Sequence, residues 1–223
     1  MSGIRGNIMK ILKPQKIFLE NLIKIDNIAE EIKEDENIEN RIISNCAIPN
    51  FEMYNVQIER TIFENVEILK GKIIKNTFTD VIFEKCNFSN TNFENCCFIR
   101  CEFRDCKLAG CNFTESRLYN VSINNTNASY INLSLADIEN VKFNEVISRN
   151  SYFQENKLKN IYFEKCDLMQ AQFTRTSLKD IDLSTSIISG LAISIQDIKG
   201  AIIDTYQAVD LLYLLGIKIK SNY

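Results

Sequence analysis

Five cysteines fall within eighteen residues in the stretch CCFIRCEFRDCKLAGCNF, which begins at Cys96, and the 223-residue chain holds eight cysteines and no histidine. Thiolates this close are the donors of a tetrahedral zinc site, whose sulfurs converge at about 2.3 Å on the metal, or the two halves of a disulfide. Their spacing argues otherwise. Cys96, Cys101, Cys106 and Cys111 recur at every fifth residue, and the same lattice takes in Cys46, Cys86 and Cys166 and omits only Cys97. Two residues after each lattice cysteine stands a large apolar side chain: Ile48, Phe88, Phe98, Phe103, Leu108, Phe113 and Leu168. The thiols mark a longer repeat.

With that apolar position as the centre, centres run at every fifth residue from Ile38 to Ile203, 34 consecutive units with no insertion or deletion. Twelve are Phe, twelve Ile, seven Leu and one Met, and the two exceptions are Ala128 and Ser148. Chance would place about three of the chain's phenylalanines in one residue class of five, so this self-similarity signals a solenoid. A period of five fits neither the 3.6 of a helix nor the 2 of a strand. Each unit must turn the chain by a fixed angle, and four units close one square coil. Coils stacked at about 4.8 Å would make roughly eight and a half turns and a rod of about 41 Å.

The position two before the centre also faces inward, where only a small side chain fits beside a stacked Phe or Leu. Cys86, Thr91, Val121, Ala136, Ser151 and Ala171 are typical occupants. Free cysteine behaves as a small hydrophobe, so packing accounts for the seven lattice thiols. A zinc site would need the space that Phe98, Phe103, Leu108 and Phe113 should fill. Neither the N-terminus nor the longest late apolar run, LLYLLGI, reads as a signal peptide or membrane span. The expected compartment is therefore the reducing cytoplasm, which argues against a Cys86–Cys106 disulfide between adjacent coils. Cys97, off the lattice, is expected to be the most reactive thiol. MSGIRGNI, before Met9, reads equally as a leader or a native start.

Units such as TNFEN, CEFRD, CNFTE, CDLMQ and IDLST resemble the A(D/N)LXX pattern of pentapeptide repeat proteins. That resemblance implies an all-β fold, a right-handed quadrilateral β-helix, over residues 36–205. SYINLS at Ser129–Ser134 and the ending DIKGAIIDTYQAVDLLYLLGI further resemble the Qnr quinolone-resistance branch, with its terminal YQA helix and closing LGI at Tyr206, Gln207, Ala208, Leu215, Gly216 and Ile217. The branch implies a dimeric rod that binds a type II topoisomerase, DNA gyrase or topoisomerase IV, by partial DNA mimicry, some members protecting the enzyme from quinolones and others inhibiting it. The lattice never slips, so the chain resembles the loop-free members and no loop residues carry over.

Charge bears on mimicry. The net charge of −3 points to neither nucleic acid nor anionic membrane as a direct partner. Within residues 36–205 there are 22 acidic and 18 basic side chains, and sixteen of the acids fall on two adjacent faces of the coil. One of these runs through Glu64, Glu84, Glu102, Asp105, Glu145, Glu164, Asp182 and Asp204 and nets −3; the other nets −1. DNA, at one charge per about 1.7 Å, is far denser. The first six of those acids are the expected partner-binding face.

The ends depart from the repeat, as solenoid caps do. Residues 1–35 form an N-terminal cap in which Asn27 and Glu30 suggest a capped short helix. Residues 206–223 hold a helix with Thr205 expected as N-cap and Gly216 just past its end, followed by a short IKIK strand. The helix is apolar nearly all round, so one side should cover the last coil and the other a second subunit, with Tyr206, Leu211, Leu212, Tyr213 and Leu215 in a homodimer interface. A convex packed rod with no histidine, Gly-rich phosphate loop or nucleophile motif implies no catalytic residues, no metal and no cofactor. The alternative function is a generic cytosolic solenoid scaffold for another protein partner.

Overall fold

The computed structural model describes residues 11–15, 17, 19–25, 28–34, 37–218 and 220. From Asn37 on, strand and bridge residues pair in parallel with the residue twenty places on, from Asn37↔Gln57 near one end to Asp182↔Ile202 at the other. The result is a parallel β-solenoid of twenty-residue coils. Its four interior columns begin at Ile38, Ile43, Ile48 and Met53, which define the first to fourth faces.

The centres are buried almost without exception, and only Ile48, Leu158, Ile193, Ile198 and Ile203 are partly so. Because the register is fixed at twenty, phenyl rings meet directly across coils. Phe83 stacks on Phe103 at 4.5 Å, Phe78 on Phe98 at 4.8 Å and Phe153 on Phe173 at 4.8 Å. Neighbouring columns meet edge to face, as Phe83 and Phe88 do at 5.6 Å. Such geometry adds to area burial for each pair.

Closing a square coil in five-residue steps needs a sharp turn at every corner. The residue two after each centre supplies it: from Asn40 to Asp180 every such position has a left-handed φ, between 44° and 68°. Twelve of these residues are Asn, which tolerates this conformation better than other side chains. The faces nevertheless differ. The first two are built from strands, and three of these, Arg117–Asn124, Asp137–Asn144 and Lys157–Glu164, run through the corner between them. The third and fourth keep strands in the first coils, at Glu52–Tyr54 and Lys72–Ile74, and from Asn87 on are built mainly from tight turns, in several of which an Asn or Asp before the centre accepts from the backbone N–H after it; beyond Glu164 the first two faces also pass into turns. Thr114 donates to Asn112 Oδ1 at 3.2 Å, Ser129 to Asn127 at 3.1 Å and Ser134 to Asn132 at 3.0 Å.

Two small centres, Ala128 and Ser148, stand twenty residues apart in one column, where the missing volume is expected to distort the backbone or to draw in Tyr130. Neither happens. The ladder stays regular there, with Ala128 N donating to Ile147 O at 2.7 Å and Ser148 N to Asp167 O at 2.8 Å. Tyr130 is 60% exposed, because the left-handed corner residue points out of the coil.

Both ends carry extra elements. Ile23–Ile25 pairs with Arg41–Ile43, and Ile28–Glu34 is the expected short helix; its expected cap, Asn27, lies outside the described residues, as does Met1–Ile8. At the other end the helix Thr205–Leu211 is capped by Asp204, not Thr205: Asp204 Oδ1 accepts from Gln207 N and Gln207 Oε1 accepts from Asp204 N, both at 2.8 Å. Asp204 wins because a glutamine stands three residues after it, closing a reciprocal capping box. Gly216, at φ 68°, ends the following 3-10 turn as expected. Ile217, Lys218 and Lys220 form no strand, and Ile219 lies outside the described residues.

Candidate interaction surface

The cysteines are interior fittings. Lattice thiols turn to the carbonyl of a centre in the preceding coil: Cys96 to Ile73, Cys101 to Phe78, Cys106 to Phe83 and Cys111 to Phe88, at 2.9, 3.4, 3.4 and 2.8 Å. Hydroxyls at the equivalent position do the same, Thr91 toward Ile68 at 2.7 Å and Ser116 toward Phe93 at 2.8 Å. Size alone therefore did not describe this residue class, for many of its members also donate. Burial pushes the Cys96, Cys101 and Cys111 thiols up to about 12, which keeps them protonated and poor nucleophiles. Cys46 is half-buried, contrary to its expected full burial, because it lies near the first coil, where fewer coils cover it. Cys97 is also half-buried; burial raises its pKa and the Arg117 charge opposes that rise. It borders a surface depression of about 350 Å³ that Arg117, Tyr119, Asp137 and Glu139 share.

The acid-rich second face is a lattice of ion pairs. Glu84 and Glu102 converge on Arg104 at 3.8 and 2.6 Å, Glu145 takes Lys165 at 3.1 Å, and Glu164 takes Lys142 at 2.6 Å. Asp105 accepts from Asn125 Nδ2 at 2.5 Å. Glu64 stands directly opposite Glu84 in the register, the like-charged contact of this face. Most partners sit about one coil apart, so sign tends to alternate along the rod. The hydrogen bond and charge of Lys142 hold the Glu164 carboxyl below its usual range. Sequence counting found the excess acid but not this local neutralisation, which lowers the field at a distance below what the count suggests.

The corner between the two acid-rich faces is occupied. Asp80 Oδ1 and Oδ2 take Arg100 Nε and Nη2, both at 2.7 Å, and the Asp80 side chain is only 2% exposed. Over this corner runs the N-terminal segment. Leu12 N donates to Asn120 Oδ1 at 3.2 Å, Gln15 N to Asp80 Oδ1 at 2.9 Å and Ile23 N to Asn40 O at 3.0 Å.

The C-terminal helix closes the last coils. Gln207, 6% exposed, donates through Nε2 to Leu183 O at 2.8 Å and Ser186 O at 2.5 Å, and the Tyr213 hydroxyl donates to Leu191 O. Of the expected interface residues, Tyr206 (87% exposed) and Leu215 face outward, whereas Tyr213 is partly exposed with its hydroxyl turned to the rod. Leu211 packs on the rod and Leu212 is half-buried, since the helical period turns them toward the coils. Val209, which the sequence reading left out of the interface, joins Tyr206 and Tyr213 in one exposed stripe at helical spacing. Among the described residues no helix is long and apolar enough to cross a membrane.

Residues 76–151 match the family described as pentapeptide repeat region. Among solved structures, a trypsin-treated form of QnrB1, a plasmid-mediated fluoroquinolone resistance protein, superposes with a TM-score of 0.57 at 22% identity, covering 88% of this chain and 95% of that one. Full-length QnrB1 gives 0.53 at 21% identity, covering 87% and 95%. No curated protein matches the chain. At such identity the likeness to QnrB1 is one of fold. Lattice, matched repeat region and superposition together show a pentapeptide-repeat solenoid over residues 76–151 within a chain whose fold is like that of QnrB1.

Proposed function

We propose that this rod binds a type II topoisomerase, DNA gyrase or topoisomerase IV, in the cytoplasm and modulates its activity or its quinolone sensitivity, acting by binding and not by catalysis. The observation that carries this reading is an architecture shared with a fluoroquinolone resistance protein over 88% of the chain. The contact surface is the pair of strand faces, with Glu64, Glu84, Glu102, Asp105, Glu145 and Glu164 on the more acidic of them. Because most of these acids are already paired within the rod, DNA mimicry is partial, and binding should weaken with salt less steeply than DNA binding does.

The Tyr206, Val209 and Tyr213 stripe supports a two-fold dimer in which the same patch serves both chains. Tyr206→Glu should give a folded monomer by light scattering; a wild-type protein that is already monomeric at micromolar concentration contradicts the dimer. The functional test is a supercoiling and quinolone-cleavage assay with both purified enzymes. Inhibition of supercoiling or relief of quinolone-stabilised cleavage supports the reading. No response from either enzyme at tens of micromolar favours the second reading, a solenoid scaffold for another protein, with which the internally paired acids are equally consistent.

A further inference from the structure

In the third column the residue three after each centre lies against that centre, for a Cβ added at Gly71 would stand 2.5 Å from Ile68 Cγ2. The two positions share one space, and the sequence divides it. Ile68 is followed by Gly71, Phe88 by Thr91, Leu108 by Cys111 and Leu168 by Ala171, a large residue beside a smaller one. Ala128 reverses the order, with Ile131 buried beside it. The end coils pair two large residues, Ile48 with Phe51 and Ile188 with Leu191. Ser148 alone is matched with another small residue, Ser151, and both are buried. Its neighbours keep their own columns. Phe143 and Phe153, the centres on either side of Ser148, meet edge to face at 6.0 Å, yet each stays stacked on the ring of the next coil, Phe163 at 5.0 Å and Phe173 at 4.8 Å. Neither ring has swung into the place of the missing side chain.

The space is polar on one side. The N–H groups of Cys111, Ile131 and Ala171 donate to the carbonyl of the centre three before, at 3.1, 3.1 and 3.0 Å. At Ser151 the hydroxyl makes that bond instead, at 2.7 Å, and its oxygen keeps the capacity to accept. Ser148 is 1% exposed and its Oγ has no hydrogen-bond partner among the described residues, a costly group to bury unmatched. We propose that the core binds one water molecule here, between the Ser148 and Ser151 hydroxyls. The Ser148 hydroxyl donates to the water, and the water donates to Ser151 Oγ. Two polar partners are the fewest that hold a buried water, and the side chain missing from the column supplies the room. The coils on either side fill the equivalent space with Ile131 and Leu168, so the site belongs to this coil and not to the repeat.

The test is a high-resolution crystal structure of the full chain, joined to urea unfolding of two variants. The wild type should show one density peak within about 3.2 Å of both hydroxyls. No peak there overturns the proposal, and so does a peak that appears only under xenon pressure, the mark of a dry apolar hole. Ser148→Leu restores the pattern of Leu168 beside Ala171, so it should expel the water and raise the urea midpoint by about 0.3 M or more. Ala128→Leu places a second large residue against Ile131 and should lower the midpoint by overpacking. A midpoint that falls in both variants overturns the proposal, because the space at Ser148 would then already be full. If either variant fails to fold, the wild-type density still decides.

Discussion

The first two faces and the last two share one lattice, one set of buried centres and one register, yet they are different surfaces. The strand faces are crossed by ion pairs between coils, as at Arg104 and Glu84 or Lys165 and Glu145, and the N-terminal segment is anchored along their common corner at Asn120 and Asp80. The turn faces carry pairs between coils too, as at Arg175 and Glu155 or Arg149 and Asp167, and add Asn and Asp side chains that accept from their own turn, as at Asn112 and Asn127. The five-residue period therefore settles the interior, while the residues on either side of each centre decide what the exterior does. A short polar residue before the centre can accept from the backbone N–H two residues on and tighten the unit into a turn, as Asn112 and Asn132 do.

The common interior is the part of that comparison most costly to disturb. Phe103→Ala removes a ring that stacks on Phe83 at 4.5 Å and is 1% exposed, and should cost about 3 to 5 kcal/mol. Urea unfolding measures this, and a loss under about 1 kcal/mol would contradict the column. Next comes the corner of the strand faces. Arg100→Ala leaves Asp80 buried with one backbone donor, Gln15 N, and should cost about 3 kcal/mol, the low end for a broken buried pair because Arg100 is itself a quarter exposed. Asp80→Asn in the same background should recover much of the loss, since the stranded charge is what makes the single variant costly. The turn faces respond least. Asn112→Ala removes one acceptor of its own turn and the donor to Asn92 Oδ1, and should cost about 1 kcal/mol. A loss as large as that of Arg100→Ala would erase the distinction between the two kinds of face.

The sequence carried the interior openly because each column position tolerates only large apolar side chains, and Phe103 or Leu108 can be placed from spacing alone. The corners were legible too but went unread: Asn at the second position after the centre, in units such as TNFEN, is the mark of a left-handed residue. Tyr130 and Leu135 obscured it, being bulky side chains at φ 60°. The split into strand and turn faces was written in pairs such as Asn112 with Thr114 and Asn132 with Ser134, which a search for chemistry passes over as surface polarity. Pairing of the acids required the twenty-residue register in addition to composition, since Glu164 and Lys142 are far apart in the chain. The docking of Leu12 and Gln15 on the corner had no signature in the sequence, because both donate backbone N–H groups.

The central claim is that the strand faces, not the turn faces, meet a type II topoisomerase. The most direct measurement is the equilibrium Kd for purified gyrase at fixed salt, comparing wild type with two double charge reversals. Glu84→Lys/Glu164→Lys alters the strand faces and Glu94→Lys/Glu155→Lys the turn faces. The strand-face pair should weaken binding by about tenfold or more and the turn-face pair by no more than about twofold. Equal losses from the two pairs, or no binding by the wild type at tens of micromolar, would contradict the claim.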